Sequence, residues 1–95
     1  MSVDVHVPSV LRNHTGGARI VHAEGSTVAA ILDHLEAQFP GLRGELLNDD
    51  GAVRQFVNIY VNDEDIRYLE RLETKLQDGD RIAILPAVAG GAWKL

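Results

Sequence analysis

The stretch GSTVAAILDHLEAQFPG occupies positions 25–41. Val28, Ile31, Leu32, Leu35 and Phe39 recur at steps of three and four, which puts them in one stripe along a helix. Ser26 or Thr27 offers a side-chain oxygen to the first free N–H groups. Pro40 and Gly41 close the segment, because proline has no N–H to donate and crowds the turn before it. A single long helix with one apolar stripe needs an apolar surface to cover it, and the sequence on either side reads as strand.

Upstream, Val3, Val5 and Val7 alternate with Asp4 and His6, a period of two that predicts a strand with one buried face, ended by Pro8. NHTGG (13–17) is turn material, with Gly16 and Gly17 free to take positive φ. ARIVHA (18–23) predicts a second strand, antiparallel to the first. Downstream, LRGELL (42–47) allows one further helical turn and NDDG (48–51) a reversal. RQFVNIYVN (54–62) is rich in β-branched and aromatic residues, with Val57, Ile59 and Val61 on one face and Phe56, Asn58 and Tyr60 on the other. NDEDIRYLERLETKLQ (62–77) predicts short strand and 3-10 pieces, and DGD (78–80) a tight turn. RIAILPAV (81–88) is a last strand, with Ile82 and Ile84 facing one way. The order β-β-α-β-(short β)-β predicts an α+β fold: a mixed sheet of four to five strands over one main helix, with the first and last strands parallel at its centre. The expected division is a domain over 1–88 and a flexible tail over 89–95.

At 95 residues the chain has room for one modest core. Fourteen acids against nine bases give a formal charge of −5, which disfavours a nucleic-acid backbone as partner and suits a basic protein surface or simple solubility. Cysteine is absent, which removes disulfides, thiolate metal sites and a cysteine nucleophile together. His6, His14, His22 and His34 are scattered without zinc-site spacing, so no metal site is expected. There is no apolar run long enough to span a membrane and no charged-then-apolar leader at the N-terminus, so a cytoplasmic location is the expectation. Arg12, Arg67 and Arg81 are candidates to pair with the acids at 63–65.

The segments VPSVLRNHTGG (7–17), FVNIYVNDEDIR (56–67) and LQDGDRIAILPAVAGG (76–91) resemble the ubiquitin-like β-grasp sulfur carriers, the MoaD/ThiS superfamily, and within it the CysO type of actinobacteria. The likeness covers residues 1–91. It implies a ubiquitin-like β-grasp fold and a protein that is not itself an enzyme. Its reactive group would be a main-chain carboxylate on a terminal glycine, here Gly91. An E1-like enzyme would adenylate that carboxylate with ATP, and sulfur would displace the adenylate to leave a thiocarboxylate.

Four residues, Ala92, Trp93, Lys94 and Leu95, follow Gly91 in this sequence. The resemblance therefore implies cleavage between Gly91 and Ala92, by a zinc metalloprotease of the JAMM class. In the CysO branch the sulfur acceptor is a pyridoxal-phosphate-dependent cysteine synthase, while some relatives feed sulfur into secondary metabolites. ATP, zinc and pyridoxal phosphate would belong to those partners and not to this chain. Gly90 and Gly91 lack Cβ atoms, so they suit a tail that threads a narrow cleft. Phe56, Tyr60 and Leu85, on the sheet face opposite the helix, form the candidate docking surface for the adenylating enzyme.

Three other readings stay open. One is a MoaD-like small subunit of molybdopterin synthase. Another is a ubiquitin-like modifier of proteins, for which only Lys75 and Lys94 are available as self-conjugation sites. The last is a plain interaction domain whose glycines are slack.

Overall fold

The computed structural model describes residues 2–55 and 57–86. Phe56 and residues 87–95, among them Gly90, Gly91 and Ala92, lie outside that range, as do the expectations placed on them. The elements are β1 (Ser2–His6), β2 (Ile20–Glu24), α1 (Val28–Gln38), α2 (Leu42–Leu46), β3 (Val57–Val61), β4 (Glu64–Asp65) and β5 (Arg81–Pro86). Short 3-10 helices cover Ser9–Thr15, Ile66–Tyr68 and Arg71–Glu73.

The five strands form one mixed sheet in the order β2-β1-β5-β3-β4. β5 is central, parallel to β1 and antiparallel to β3, so the first and last strands meet as their order in the sequence predicted. Residue alternation settles which side each strand buries. Val3, Val5, Val21, Ala23, Val57, Ile59, Val61, Ile82 and Ile84 all point to the helix side and are almost wholly buried. Val28, Ile31, Leu32 and Leu35 of α1 meet them, with Phe39 packed partly buried at the margin. Each such side chain removed from water is worth about 1.5–3 kcal/mol, so this two-layer contact carries the fold.

Of the two candidate caps, Thr27 caps α1, its hydroxyl accepting from Ala30 N–H at 3.2 Å. Gly25, between β2 and α1, allows a close approach: a Cβ there would stand 2.8 Å from Ala30 Cβ and 3.0 Å from the Ile31 amide nitrogen. At the other end, Phe39 N–H closes on Leu35 O, and Gly41 takes φ 99°, starting α2. The Glu36 carboxylate accepts from the N–H groups of Gly41 and Arg43 at 3.0 and 2.9 Å. Those two bonds hold its pKa below the ordinary glutamate value.

Four details differ from the sequence reading. The link between β1 and β2 is not a loose turn, because Ser9–Thr15 winds into a 3-10 helix that buries Leu11. Gly16 and Gly17 then reverse the chain at φ 66° and 90°, and β2 starts at Ile20 rather than at residue 18. Arg54 and Gln55 lie outside β3, and the Arg54 guanidinium donates to Gly44 O at 2.8 Å, tying that stretch to α2. Arg12 does not pair with the acids at 63–65; its Nε donates to Val7 O at 3.1 Å and fastens the 3-10 helix to the end of β1. Arg67 and Arg81 do meet that run, at Asp65 (2.9 Å) and Asp63 (3.5 Å).

Among the described residues, no helix is long and apolar enough to cross a membrane.

Candidate functional site

β5 runs through the middle of the sheet and its last residue, Pro86, leads into the glycine tail. β1 pairs with β5 over Arg81–Ala83, and β3 pairs with it as far as Pro86, so the root of the tail is held from the β3 side.

The sheet face turned away from α1 can be read from the registers. Tyr60 stands opposite Ala83, Ala83 opposite His6, and His6 opposite Ile20, one row crossing four strands. One step toward the tail, Leu85 stands opposite Asn58. Leu85 and Ile20 are 47% and 44% exposed, unusually open for large aliphatic residues, and Tyr60 is half-buried. The structure thus brings the predicted residues Tyr60 and Leu85 to one face. Phe56 falls outside the described residues.

The opposite end of this face is polar. Asp4 pairs across the strands with His22 at 2.7 Å, and Arg81 reaches Asp63. Leu85 and Ile20 are the exposed aliphatic residues nearer the tail end of this face, and on the β4 side Asp65 stands opposite Tyr60 while Arg67 reaches Asn58, the partner of Leu85.

Beside that root lies a groove of about 360 Å³, lined by His6, Val7, Pro8, Arg12, Arg19, Ile20, Ile84 and Leu85. The sequence reading placed Ile20 and Arg19 in a strand without assigning them a side. The alternation of Ile20, His22 and Glu24 against buried Val21 and Ala23 is the signal that assigns it.

The two motif turns sit at the far end of the sheet. Asn62 and Asp63 take φ 50° and 74°, so the two-residue link between β3 and β4 is left-handed at both positions. Hairpins of that length favour this geometry, and Asn and Asp tolerate it better than other side-chain-bearing residues. The Asp65 carboxylate accepts from Arg67 N–H at 2.8 Å and pairs with its guanidinium. The Arg67 side-chain bonds hold the Asp65 pKa below its ordinary value. Arg67 also reaches the Asn58 amide oxygen.

The histidines serve local packing and pairing. His14 approaches Glu45, His22 pairs with Asp4, and His34 Nδ1 accepts from Glu24 N–H at 2.7 Å. Among the described residues, no three potential metal ligands converge.

Comparison with known proteins places this geometry. The model of the ThiS family matches residues 5–91. The sulfur carrier protein CysO of Mycobacterium tuberculosis is 48% identical over 93 residues, covering 96% of this chain and 100% of that protein. The crystal structure of the Amycolatopsis orientalis BexX/CysO complex contains a chain that superposes with a TM-score of 0.88 at 46% identity, covering 94% of this chain and 99% of that one. The small archaeal modifier protein 1 of Methanosarcina acetivorans superposes with a TM-score of 0.80 at 32% identity, covering 95% and 96%. With β5 at the centre of a mixed sheet over one main helix, a family match over residues 5–91 and 48% identity along nearly the whole chain, the chain belongs to the ThiS family, with the ubiquitin-like β-grasp fold.

Proposed function

We propose that this chain is a cytoplasmic sulfur carrier whose working end is the carboxylate of Gly91. The observation that carries this reading is the extent of the match. It ends at Gly91, and it comes with 48% identity to a sulfur carrier protein over that protein's whole length. Residues 92–95 lie beyond the family match, which supports cleavage between Gly91 and Ala92 by a JAMM-type zinc metalloprotease.

The chemistry then follows at the main chain. A Gly91 carboxylate oxygen attacks the α-phosphorus of ATP on an E1-like enzyme, and the bond to pyrophosphate breaks. Sulfide sulfur attacks the acyl carbon of the resulting adenylate, and AMP leaves with the carboxylate oxygen. The product is a thiocarboxylate, a stronger nucleophile than the carboxylate it replaces. Its sulfur attacks an electrophilic carbon of a substrate held by an acceptor, a pyridoxal-phosphate-dependent cysteine synthase or an enzyme building a sulfur-containing metabolite, and water then cleaves the acyl bond to the product and restores the Gly91 carboxylate. Zinc, ATP and pyridoxal phosphate are held by those partners. The absence of a Cβ at Gly90 and Gly91 lets an enzyme wall close on the backbone and leaves the acyl carbon open to attack. Ordering the tail in such a cleft opposes binding by roughly 1–2 kcal/mol per residue, which contacts at Tyr60, Leu85 and their neighbours would offset.

The test is ATP–pyrophosphate exchange with the E1-like enzyme of the same organism. A chain ending at Gly91 should support exchange and, with sulfide, gain the mass difference between sulfur and oxygen. A chain ending at Leu95 should do neither. Equal exchange by the two forms would defeat the processing claim, and no exchange by either would defeat the carrier claim.

The likeness to a small archaeal modifier protein supports a second reading, conjugation of the same acyl group to lysines of other proteins. Isopeptide-linked Gly91 on target peptides from the native host would establish it.

A further inference from the structure

We propose that the groove beside Leu85 is a docking site for an acidic, aliphatic segment of a partner protein, held by Arg12 and Arg19 over Ile20 and Leu85. The groove is assembled from the end of β1, the start of β2, the 3-10 helix between them and Leu85 of β5. Arg12, Arg19 and His6 line it, and no carboxylate is among the described residues that do. In a chain of formal charge −5 this is a local reversal of sign.

Arginines elsewhere in the molecule show what these two lack. Arg43, Arg67 and Arg81 each meet a carboxylate, at Asp33, Asp65 and Asp63. Among the described residues, Arg12 and Arg19 meet none. Arg12 is nevertheless held in place. Its Nε donates to Val7 O at 3.1 Å, and its carbonyl accepts from Gly17 N–H at 2.7 Å and from the Thr15 hydroxyl at 3.2 Å. The main chain of Arg19 is fixed too, its carbonyl accepting from Val7 N–H at 2.8 Å. Guanidinium groups rooted in this way lose little freedom on binding, and they take carboxylates through paired, charge-assisted hydrogen bonds.

The apolar part selects among anions. Ile20 and Leu85 stay open to water on strands separated by β1, with Pro8 between them and the arginines. A nucleic-acid backbone would neutralise the arginines, leave those aliphatic side chains uncovered and meet the repulsion of an acidic chain. A wholly apolar segment would cover the aliphatics and leave two guanidinium groups uncompensated. A segment that alternates carboxylates with aliphatic side chains satisfies both parts. Which enzyme presents that segment rests on the sulfur-carrier reading; the chemistry of the groove does not.

The test titrates the blocked peptide acetyl-Glu-Leu-Asp-Leu-Glu-amide into the isotope-labelled full chain, unloaded and without partner enzymes, and follows backbone amide chemical shifts. Its uncharged counterpart acetyl-Gln-Leu-Asn-Leu-Gln-amide and a single-stranded DNA oligonucleotide are titrated in parallel. The acidic peptide should shift the amides of His6, Arg19, Ile20 and Leu85 to saturation, and the uncharged one should bind about tenfold more weakly or less. Arg19→Gln and Ile20→Ser, both at exposed positions, should each weaken the acidic peptide, Arg19→Gln by about tenfold. Arg81→Gln, the same change in net charge at the far end of the sheet, should leave its affinity unchanged. The amide spectrum of each variant reports whether the fold is kept. Absence of shifts at the groove, equal affinity for the uncharged peptide, or an equal loss in Arg81→Gln overturns the proposal. So does tighter binding of DNA at the same amides, or a groove already filled by a second copy, seen as shifts on concentrating the chain alone. None of these readouts passes through Gly91 or ATP, so the docking claim and the carrier claim fail separately.

Discussion

Asn62 Nδ2 donates to Asp80 Oδ1 at 2.9 Å, and Asn62 Oδ1 accepts from Arg81 N–H at 3.0 Å. One side chain thus joins the left-handed β3–β4 turn to the DGD turn that launches β5. The second turn is tied to β1 as well, since Ser2 N–H donates to Asp78 Oδ1 at 2.9 Å and Gly79 N–H to Ser2 O at 3.0 Å. The residue types at these turns follow from that linkage. The left-handed backbone selects Asn, and the need to bond two neighbours selects its amide. Asn62→Ala should lose both, lowering stability by about 2 kcal/mol. Asn62→Gly keeps the backbone freedom and should lose less. Urea unfolding of the three proteins separates the contributions, and equal midpoints for Ala and Gly would contradict the backbone part.

Gly25 is fixed by proximity. The Cβ of an alanine there would meet Ala30 Cβ and two backbone atoms of α1, none of which can swing aside. Gly25→Ala should cost about 1–3 kcal/mol, the usual range for overpacking. A neutral or stabilising result in chemical denaturation would mean that α1 can shift away from β2.

Asp65 and Arg67 predict a pH dependence with a defined sign. The Asp65 pKa is lowered in the folded state, chiefly by its side-chain bonds to Arg67. Its contribution is therefore complete above the ordinary aspartate value of 3.8 and is lost as pH falls through the lower folded value. Glu36 acts in the same direction, lost on acidification below its ordinary 4.5. Asp65→Asn should be less stable than wild type at pH 7, and the gap should shrink as the pH drops below about 3.8. A gap that stays constant down to pH 2.5 or so would assign Asp65 a role independent of its charge.

Leu85 and Tyr60 predict a loss of recognition without loss of fold. Both lie on the outer face, so Leu85→Asp and Tyr60→Ala should leave the fold intact and lower its stability by only about 1 kcal/mol, the span of substitutions on a strand surface. If the face docks the adenylating enzyme, each should raise the KM for the chain ending at Gly91 by about tenfold or more, the scale of a central interface residue. Unchanged KM in both would move the docking surface elsewhere.

Periodicity carried most of the architecture. The α1 stripe and the alternation at Val3-Val5-Val7 and Val57-Ile59-Val61 each name a buried face, and those faces meet in the structure. The 3-10 helix over Ser9–Thr15 was not legible, because its single buried apolar residue, Leu11, makes no period. The groove was hidden for another reason. His6, Arg12, Arg19, Ile20 and Leu85 come from three separate stretches that only the β2-β1-β5 order brings together. Tyr60 and Leu85 could be placed on one face from alternation alone, yet what that face touches is a property of a partner. Arg12 misled because charge suggested a carboxylate, while the nearest strong acceptor was the carbonyl of Val7.

The central claim is that the reactive group is a main-chain acyl group at Gly91. Intact-mass spectrometry of the chain isolated from its own host, grown with sulfur both abundant and limiting, tests it most directly. The account predicts a species ending at Gly91, part of it heavier by the exchange of one oxygen for sulfur. A chain that still carries Ala92-Trp93-Lys94-Leu95 under every condition while its activity persists would contradict it.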